Sequence, residues 1–187
     1  MSEITYFKKA GPENTIAALE CAKKYAEKNK IKKIIIATTT GETGVKATEI
    51  LKGFELIFVT HSYSFMKPGE QELKESNKSI LEKNGKIITG VHALSGVARS
   101  IRSKLKTWDP LELIAYTLRV IFCQGMKVVL EIVLMATDAG VVEFGEEVLA
   151  IAGTGHGADT VCLIKAADTS HFFDLRLKEI ICKPRNF

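Results

Sequence analysis

The chain has 187 residues, enough for one domain of ordinary size, and at that length it buries roughly 70% of its unfolded surface without a metal or disulfide staple. A hydrophobic content of 46% with 26% charged residues is that of a globular protein, and the net charge of +4 is spread over many Lys and Glu rather than massed as a nucleic-acid patch. The four cysteines, Cys21, Cys123, Cys162 and Cys182, stand far apart among apolar neighbours with no CxxC pair, which argues against zinc and for small buried hydrophobes in a reducing compartment.

The first residues lack the basic and apolar regions of a secretory signal. The longest apolar run, 128–142, carries Glu131 and Asp138 and falls short of a membrane span. The expectation is a single cytoplasmic domain over 1–187, with neither nucleic acid nor membrane as partner.

The elements alternate as strands and helices. Residues 13–28 predict a helix with Ala18, Leu19, Ala22, Tyr25 and Ala26 as its inward stripe, Pro12 near its start and Asn29 near its end. Residues 33–38 predict an apolar strand, 45–51 a short helix and 55–60 a second strand. A loop over 61–69 follows, with Tyr63, Phe65 and Pro68. Residues 70–84 read as a polar helix, with Leu73, Ile80 and Leu81 as a thin apolar edge and Gly85 as its stop. A short strand at 86–89, a loop and a helix at 96–106 come next. Asp109-Pro110-Leu111-Glu112 opens another helix, with Asp at the N-cap, Pro first and Glu third, and it runs to about 124.

Residues 126–139 have β propensity in Val128, Val129, Ile132 and Val133, but the length and the closing Asp138-Ala139-Gly140 favour a helix. A helix is assigned because 147–152 makes the better strand and parallel neighbours need a crossover between them. Residues 159–165 predict a further strand and 175–182 a last one at an edge. Interiors such as Ile-Ile-Ile and Leu-Ile-Phe-Val are apolar on both faces, the mark of a parallel sheet covered on each side. The fold class is therefore α/β, three layers, with a mostly parallel sheet and helices on both faces. Ligands of such folds bind beyond the carboxyl ends of the strands.

Four loops fall at those ends. In the first, an apolar strand stops in Thr38, Thr39, Thr40, Gly41, Glu42, Thr43 and Gly44, just before a helix. Helix N-termini present unpaired N–H groups and partial positive charge, glycine admits a close approach, and hydroxyls add donors, so this loop predicts a phosphate site on the amides of 41–44. Glu42 suits that site only if its carboxylate points outward.

The other loops supply His61, Ser62 and Tyr63; His92, Ser95 and Gly96; and Gly153, Thr154, Gly155 and His156. Histidines there are candidates for proton transfer, or for simple loop hydrogen bonds. Three loop histidines are also a conceivable zinc set, without supporting spacing. The glycine loop at 153–159 reads equally as a site or as a βα turn capped by Asp159; it is not a dinucleotide fingerprint. Arg99 and Arg102 are candidates for an anion or for solvent, and Glu131 for an ion pair with Lys127 one turn away. Trp108, Tyr63 and Phe65 are candidates to stack on a ring.

The threonine loop, with Ala47 and Ile50 after it, resembles the FMN phosphate loop of flavodoxins, although Ile36 stands where those proteins place an aromatic. That likeness makes FMN the first candidate cofactor. A longer resemblance, from Asn14 to about Lys165, is to the C-terminal α/β domain of pyruvate kinases. It rests on an initial helix, the Ile-Ile-Ile-Ala-Thr strand, the Thr-Gly-x-Thr loop, the Ile-Phe-Val-Thr strand, and later a long helix, the Val-Leu-Ala-Ile-Ala-Gly strand and a glycine loop. It implies a sugar-phosphate effector site on Thr38, Thr40, Gly41 and Thr43, and by analogy a homo-oligomer. The family's catalytic barrel has no counterpart in these residues, so kinase activity on pyruvate is not expected. The sequence thus predicts a protein for a phosphorylated, ring-bearing small molecule, or a sensor of a sugar phosphate or nucleotide without chemistry of its own.

Overall fold

The structure, a computed structural model, describes residues 3–187. Within them seven strands form one sheet in the order β1-β7-β6-β5-β2-β3-β4. The strands are β1 (Thr5–Lys9), β2 (Lys33–Ala37), β3 (Glu55–Thr60), β4 (Gly85–Thr89), β5 (Glu147–Ala152), β6 (Thr160–Lys165) and β7 (Arg176–Asn186). The helices are α1 (Thr15–Asn29), α2 (Glu42–Ile50), α3 (Glu75–Asn84), α4 (Gly96–Leu105), α5 (Pro110–Ile121) and α6 (Gln124–Asp138). Strands β5, β2, β3 and β4 run parallel, so the loops that follow them emerge on one edge, as expected.

Period-two alternation splits the β2 side chains between two cores. Ile34 and Ile36 join Phe58, Leu149 and Ile151 beneath α1, α2 and α3. Ile35 joins Ile57, Val59, Val148 and Ala150 beneath α6. Helix α6 is buried nearly all round, because Ala115 of α5 and Leu94 of the β4–α4 loop pack on Leu134 at its outer side. Each fully buried Ile, Leu or Phe of these layers contributes about 1.5–3 kcal/mol relative to exposure. The fold class is the one expected.

The differences lie at the start of the chain, at element ends and in the last third. Strand β1 was not foreseen. It has almost no buried face and is held by backbone pairing to β7, Thr5 opposite Cys182. That pairing also corrects the edge placement of the last strand: β7 is longer than expected and is covered by β1. Strand β6 runs antiparallel to both β5 and β7, so the 153–159 segment is a hairpin connection and not a βα turn.

Helix α2 begins at Glu42, earlier than 45, because Gly41 supplies the left-handed N-cap (φ 92°) that redirects the chain. Helix α3 begins at Glu75, not 70. Residues 71–74 are taken up instead in contacts to two loops: Gln71 Nε2 donates to the His61 carbonyl (3.0 Å), and Lys74 N–H donates to the Thr40 carbonyl (3.3 Å). No helix among the described residues is long and apolar enough to cross a membrane.

Candidate functional site

A cleft of about 360 Å³ opens at the carboxyl edge of β2, β3 and β5. Its walls come from both faces of the sheet. From one side come Thr38, Thr39, Thr40, Glu42, Thr43 and Lys46 of the β2–α2 segment; from the other, Arg119 of α5 and Lys127, Glu131 and Met135 of α6. His61, Phe65 and His92 stand between them, and Gly153, Gly155, His156 and Gly157 form the rim beside Pro12 and Thr15.

The threonine loop is built as the helix start demands. Thr38 Oγ1 accepts from the Gly44 N–H at 3.2 Å, so that hydroxyl serves the helix's own capping and removes Gly44 from the expected cradle. The N–H groups of Glu42 and Thr43, in the same first turn, have no acceptor within the protein among the described residues. The Thr40 carbonyl is held by Asn77 Nδ2 at 2.9 Å, and Gly41 is pressed so closely on α3 that a Cβ would stand 2.5 Å from that of Asn77. Gly44 is equally tight, with a Cβ meeting Leu81 at 2.8 Å. At both glycines the neighbouring side chains approach the backbone too closely for a Cβ.

Glu42 projects into solvent and pairs with Lys74 at 2.7 Å, which holds its carboxyl below the usual range. The carboxylate is thereby drawn toward Lys74 at the start of α3, although Glu42 still lines the cleft. Lys46, one turn on, lines the cleft.

Thr39 Oγ1 lies 3.4 Å from His61 Nε2, and His61 Nδ1 meets Glu72 at 2.8 Å. Burial lowers the His61 pKa against the pull of Glu72, favouring the neutral ring. The rings of His61, Phe65 and His92 form a wall: Phe65 stacks on His92 at 4.6 Å and meets His61 at 4.0 Å. Of the loop aromatics, Phe65 reaches the cleft. Tyr63 is 66% exposed and stands apart from it. Ser62, Ser95 and Gly96 are not in the cleft either; they border a separate open depression with Arg99.

Gly153, Gly155 and His156 reach the cleft, but their loop is stapled rather than loose. Buried Asp159 accepts from the N–H groups of Gly11 (3.1 Å) and Thr154 (3.2 Å) and from the Thr160 hydroxyl (2.8 Å). A Cβ on Gly157, whose φ is 72°, would strike Pro12 at 2.6 Å. Thr154 itself turns inward and does not line the cleft. His61, His92 and His156 do not converge as a metal-ligand set among the described residues.

The far wall was only partly foreseen. Lys127 and Glu131 do pair, yet inside the protein, each 2% exposed. The Glu131 carboxylate also accepts the Leu94 N–H at 3.0 Å and faces His92 Nδ1 at 3.4 Å. Burial pushes the Glu131 carboxyl up, but His92 and Lys127 outweigh it and keep the group ionised. Arg119 and Gln124 were missed, since nothing in an amphipathic helix marks a residue that borders a cleft from the opposite face. Arg99 and Arg102 do not line the cleft: Arg99 lies over Phe65 at 4.3 Å, and Arg102 pairs with Glu112 at 2.8 Å.

Compared with known families, residues 16–164 match the model described as pyruvate kinase, alpha/beta domain. Among solved structures, the chain is similar to a pyruvate kinase from Cryptosporidium parvum, with 16% identity over 82% of this chain and 23% of that one, at a TM-score of 0.42. It is similar at the same identity and score to the Cryptosporidium parvum pyruvate kinase in complex with ADP, of which 24% is covered. The chain thus spans about a quarter of the length of those enzymes. These findings do not bear on the flavodoxin likeness of the threonine loop.

Proposed function

The chain belongs to the pyruvate kinase alpha/beta domain family, and on that premise we propose that its cleft binds a phosphorylated, ring-bearing small molecule, with FMN the first candidate. The carrying observation is the start of α2: among the described residues the Glu42 and Thr43 N–H groups lack protein acceptors, and Lys46 stands one turn on at the same cleft. Amides at a helix N-terminus with a nearby cation favour a phosphate. The competing carboxylate of Glu42 is tied to Lys74. The aromatic wall suits a ring, with Phe65 and His92 stacked within 16° of parallel and His61 tilted beside them, and the cleft's volume falls in the range of small-molecule sites. If the ligand is FMN, the redox chemistry belongs to the flavin, and the protein supplies position and hydrogen bonds.

Titration of FMN against the purified protein, followed by flavin fluorescence and by thermal unfolding, tests the reading. Quenching together with a raised Tm is expected, and Lys46→Glu weakens binding about tenfold by placing a second negative charge beside the phosphate. Lys46 is exposed, so the variant leaves the fold intact. Neither quenching nor stabilisation by FMN removes the flavin version. Stabilisation by a sugar phosphate or nucleotide without a response to FMN turns the site into that of a metabolite sensor.

A further inference from the structure

Helix α5 is apolar on both of its sides. Leu111, Ala115 and Leu118 pack with Leu134 of α6. The outward side carries Leu113, Tyr116 and Val120, at the i, i+3, i+7 spacing that makes one stripe. These three and Trp108, just before the helix, are each 46–56% exposed. Trp108 meets Tyr116 edge-on, 5.4 Å between ring centres, and so extends the stripe toward α4. Ile121 and Phe122, both exposed, continue it at the other end. A helix apolar all round is ordinarily covered on every side, and exposed patches of this kind mark contact sites.

The charges beside this stripe are of one sign. Residues 96–122 hold five of the chain's cations and two of its carboxylates, so three of the four net positive charges fall in this stretch. Glu112 is buried and paired with Arg102, and Asp109 serves as the N-cap, accepting the Leu111 N–H at 2.8 Å. No exposed residue of the stretch carries a carboxylate. Lys104 and Lys106 are exposed and enter no ion pair among the described residues. Arg102 joins the two helices: it lies over Trp108 at 5.0 Å while it pairs with Glu112.

An apolar stripe with indole and phenol rings, bordered by cations alone, matches a surface that is apolar within and negative at its face. We propose that the outward face of α5, with Trp108 and the end of α4, lies on an anionic lipid surface, with Leu113, Tyr116 and Val120 at the acyl boundary and Lys104 and Lys106 among the headgroups. A second copy of the chain fits less well, because a two-fold contact sets the same patch against itself and brings these cations together. Nucleic acid fits less well because Leu113, Val120 and Ile121 offer no ring to stack on a base. The expectation of no membrane partner rested on the length of an apolar run, which decides whether a helix spans a bilayer and not whether one lies at its interface.

Trp108 is the chain's one tryptophan, so its emission reports this surface alone. The test titrates the full chain with vesicles of phosphatidylcholine, with and without about 30% phosphatidylserine. A blue shift and co-flotation are expected with the anionic vesicles, and both fade at about 1 M salt, where screening is short-ranged. Lys104→Gln with Lys106→Gln, at two exposed positions, weakens binding about twentyfold, or roughly fivefold for each charge. Val120→Asp abolishes the blue shift, and the lysine pair decides the matter if that variant unfolds. No shift and no flotation with the anionic vesicles overturns the proposal, as does equal affinity for both vesicle types. So does a shift that grows with protein concentration in the absence of vesicles, which assigns the face to a second copy, or one produced by single-stranded DNA alone.

Discussion

At the scale of single residues, the chain shows how one side chain's neighbours decide its chemistry. Glu42 sits in the first turn of a helix proposed to hold an anion, and its pairing with Lys74 turns a repulsive charge aside. Cys21 is the converse, a residue given a property its sequence neighbours do not announce. Cys123, Cys162 and Cys182 are buried, as small hydrophobes should be, but Cys21 is only half-buried. A hydrogen bond from the Cys182 thiol, opposed by partial burial and aided by Thr5, brings the Cys21 thiol down to about 6. The thiolate is the reactive form, so its fraction rises as pH climbs through that value. Iodoacetamide is therefore expected to label Cys21 before the other three in the folded protein, with a rate that rises through about pH 6 and levels off above it. Peptide mapping by mass spectrometry checks this. A midpoint in the ordinary thiol range, or labelling of Cys162 first, contradicts it.

At the scale of elements, α6 carries the largest electrostatic stake. Lys127 and Glu131 are one turn apart and almost wholly out of water. Burial lowers the Lys127 pKa, and Glu131 opposes that shift. Removing one partner strands a buried charge, so Lys127→Met is expected to cost about 3–5 kcal/mol in urea unfolding. The double variant Lys127→Met, Glu131→Leu recovers part of that loss. It does not recover all, because the Leu94 N–H and His92 then lose the carboxylate. A double variant no more stable than the single one contradicts the account.

The same helix shows what sequence can convey. Its existence was readable from length and its Asp-Ala-Gly stop, and the Lys127–Glu131 pair from spacing. Its burial on both sides was not, because an apolar helix does not show which of its faces the preceding helix α5 and Leu94 will cover. Helix α3 fails in the opposite way. Residues 70–74 look helical by composition, but Gln71 and Lys74 are engaged by the His61 and Thr40 carbonyls, and tertiary contacts override propensity. The direction of β6 was hidden as well. A fully apolar run has the same pattern in either orientation, and only the short connection after β5 hints at a hairpin.

At the scale of the molecule, the sheet separates two cores, and the cleft is where both reach the same edge. The threonine loop stands on the layer of α1, α2 and α3, while Arg119, Lys127 and Glu131 stand on the layer of α5 and α6. The loops of the first layer were legible because glycine and threonine mark a strand-to-helix turn. The second layer's contribution was not, because it depends on which face each helix takes. A ligand that reaches across the cleft touches both layers and stabilises the folded chain by about 2.7 kcal/mol at a hundredfold excess over its Kd. Its effect on local opening should follow the same geometry. Amide hydrogen exchange in the presence of saturating FMN is expected to slow at the first turn of α2 and, in the same experiment, in α5 and the first half of α6. Strand β1 and the outer end of β7, remote from the cleft across the sheet, should be unchanged. Protection confined to α2 would mean that the ligand uses the phosphate end alone, and protection confined to α5 and α6 would mean that the open amides of Glu42 and Thr43 are not where the phosphate sits.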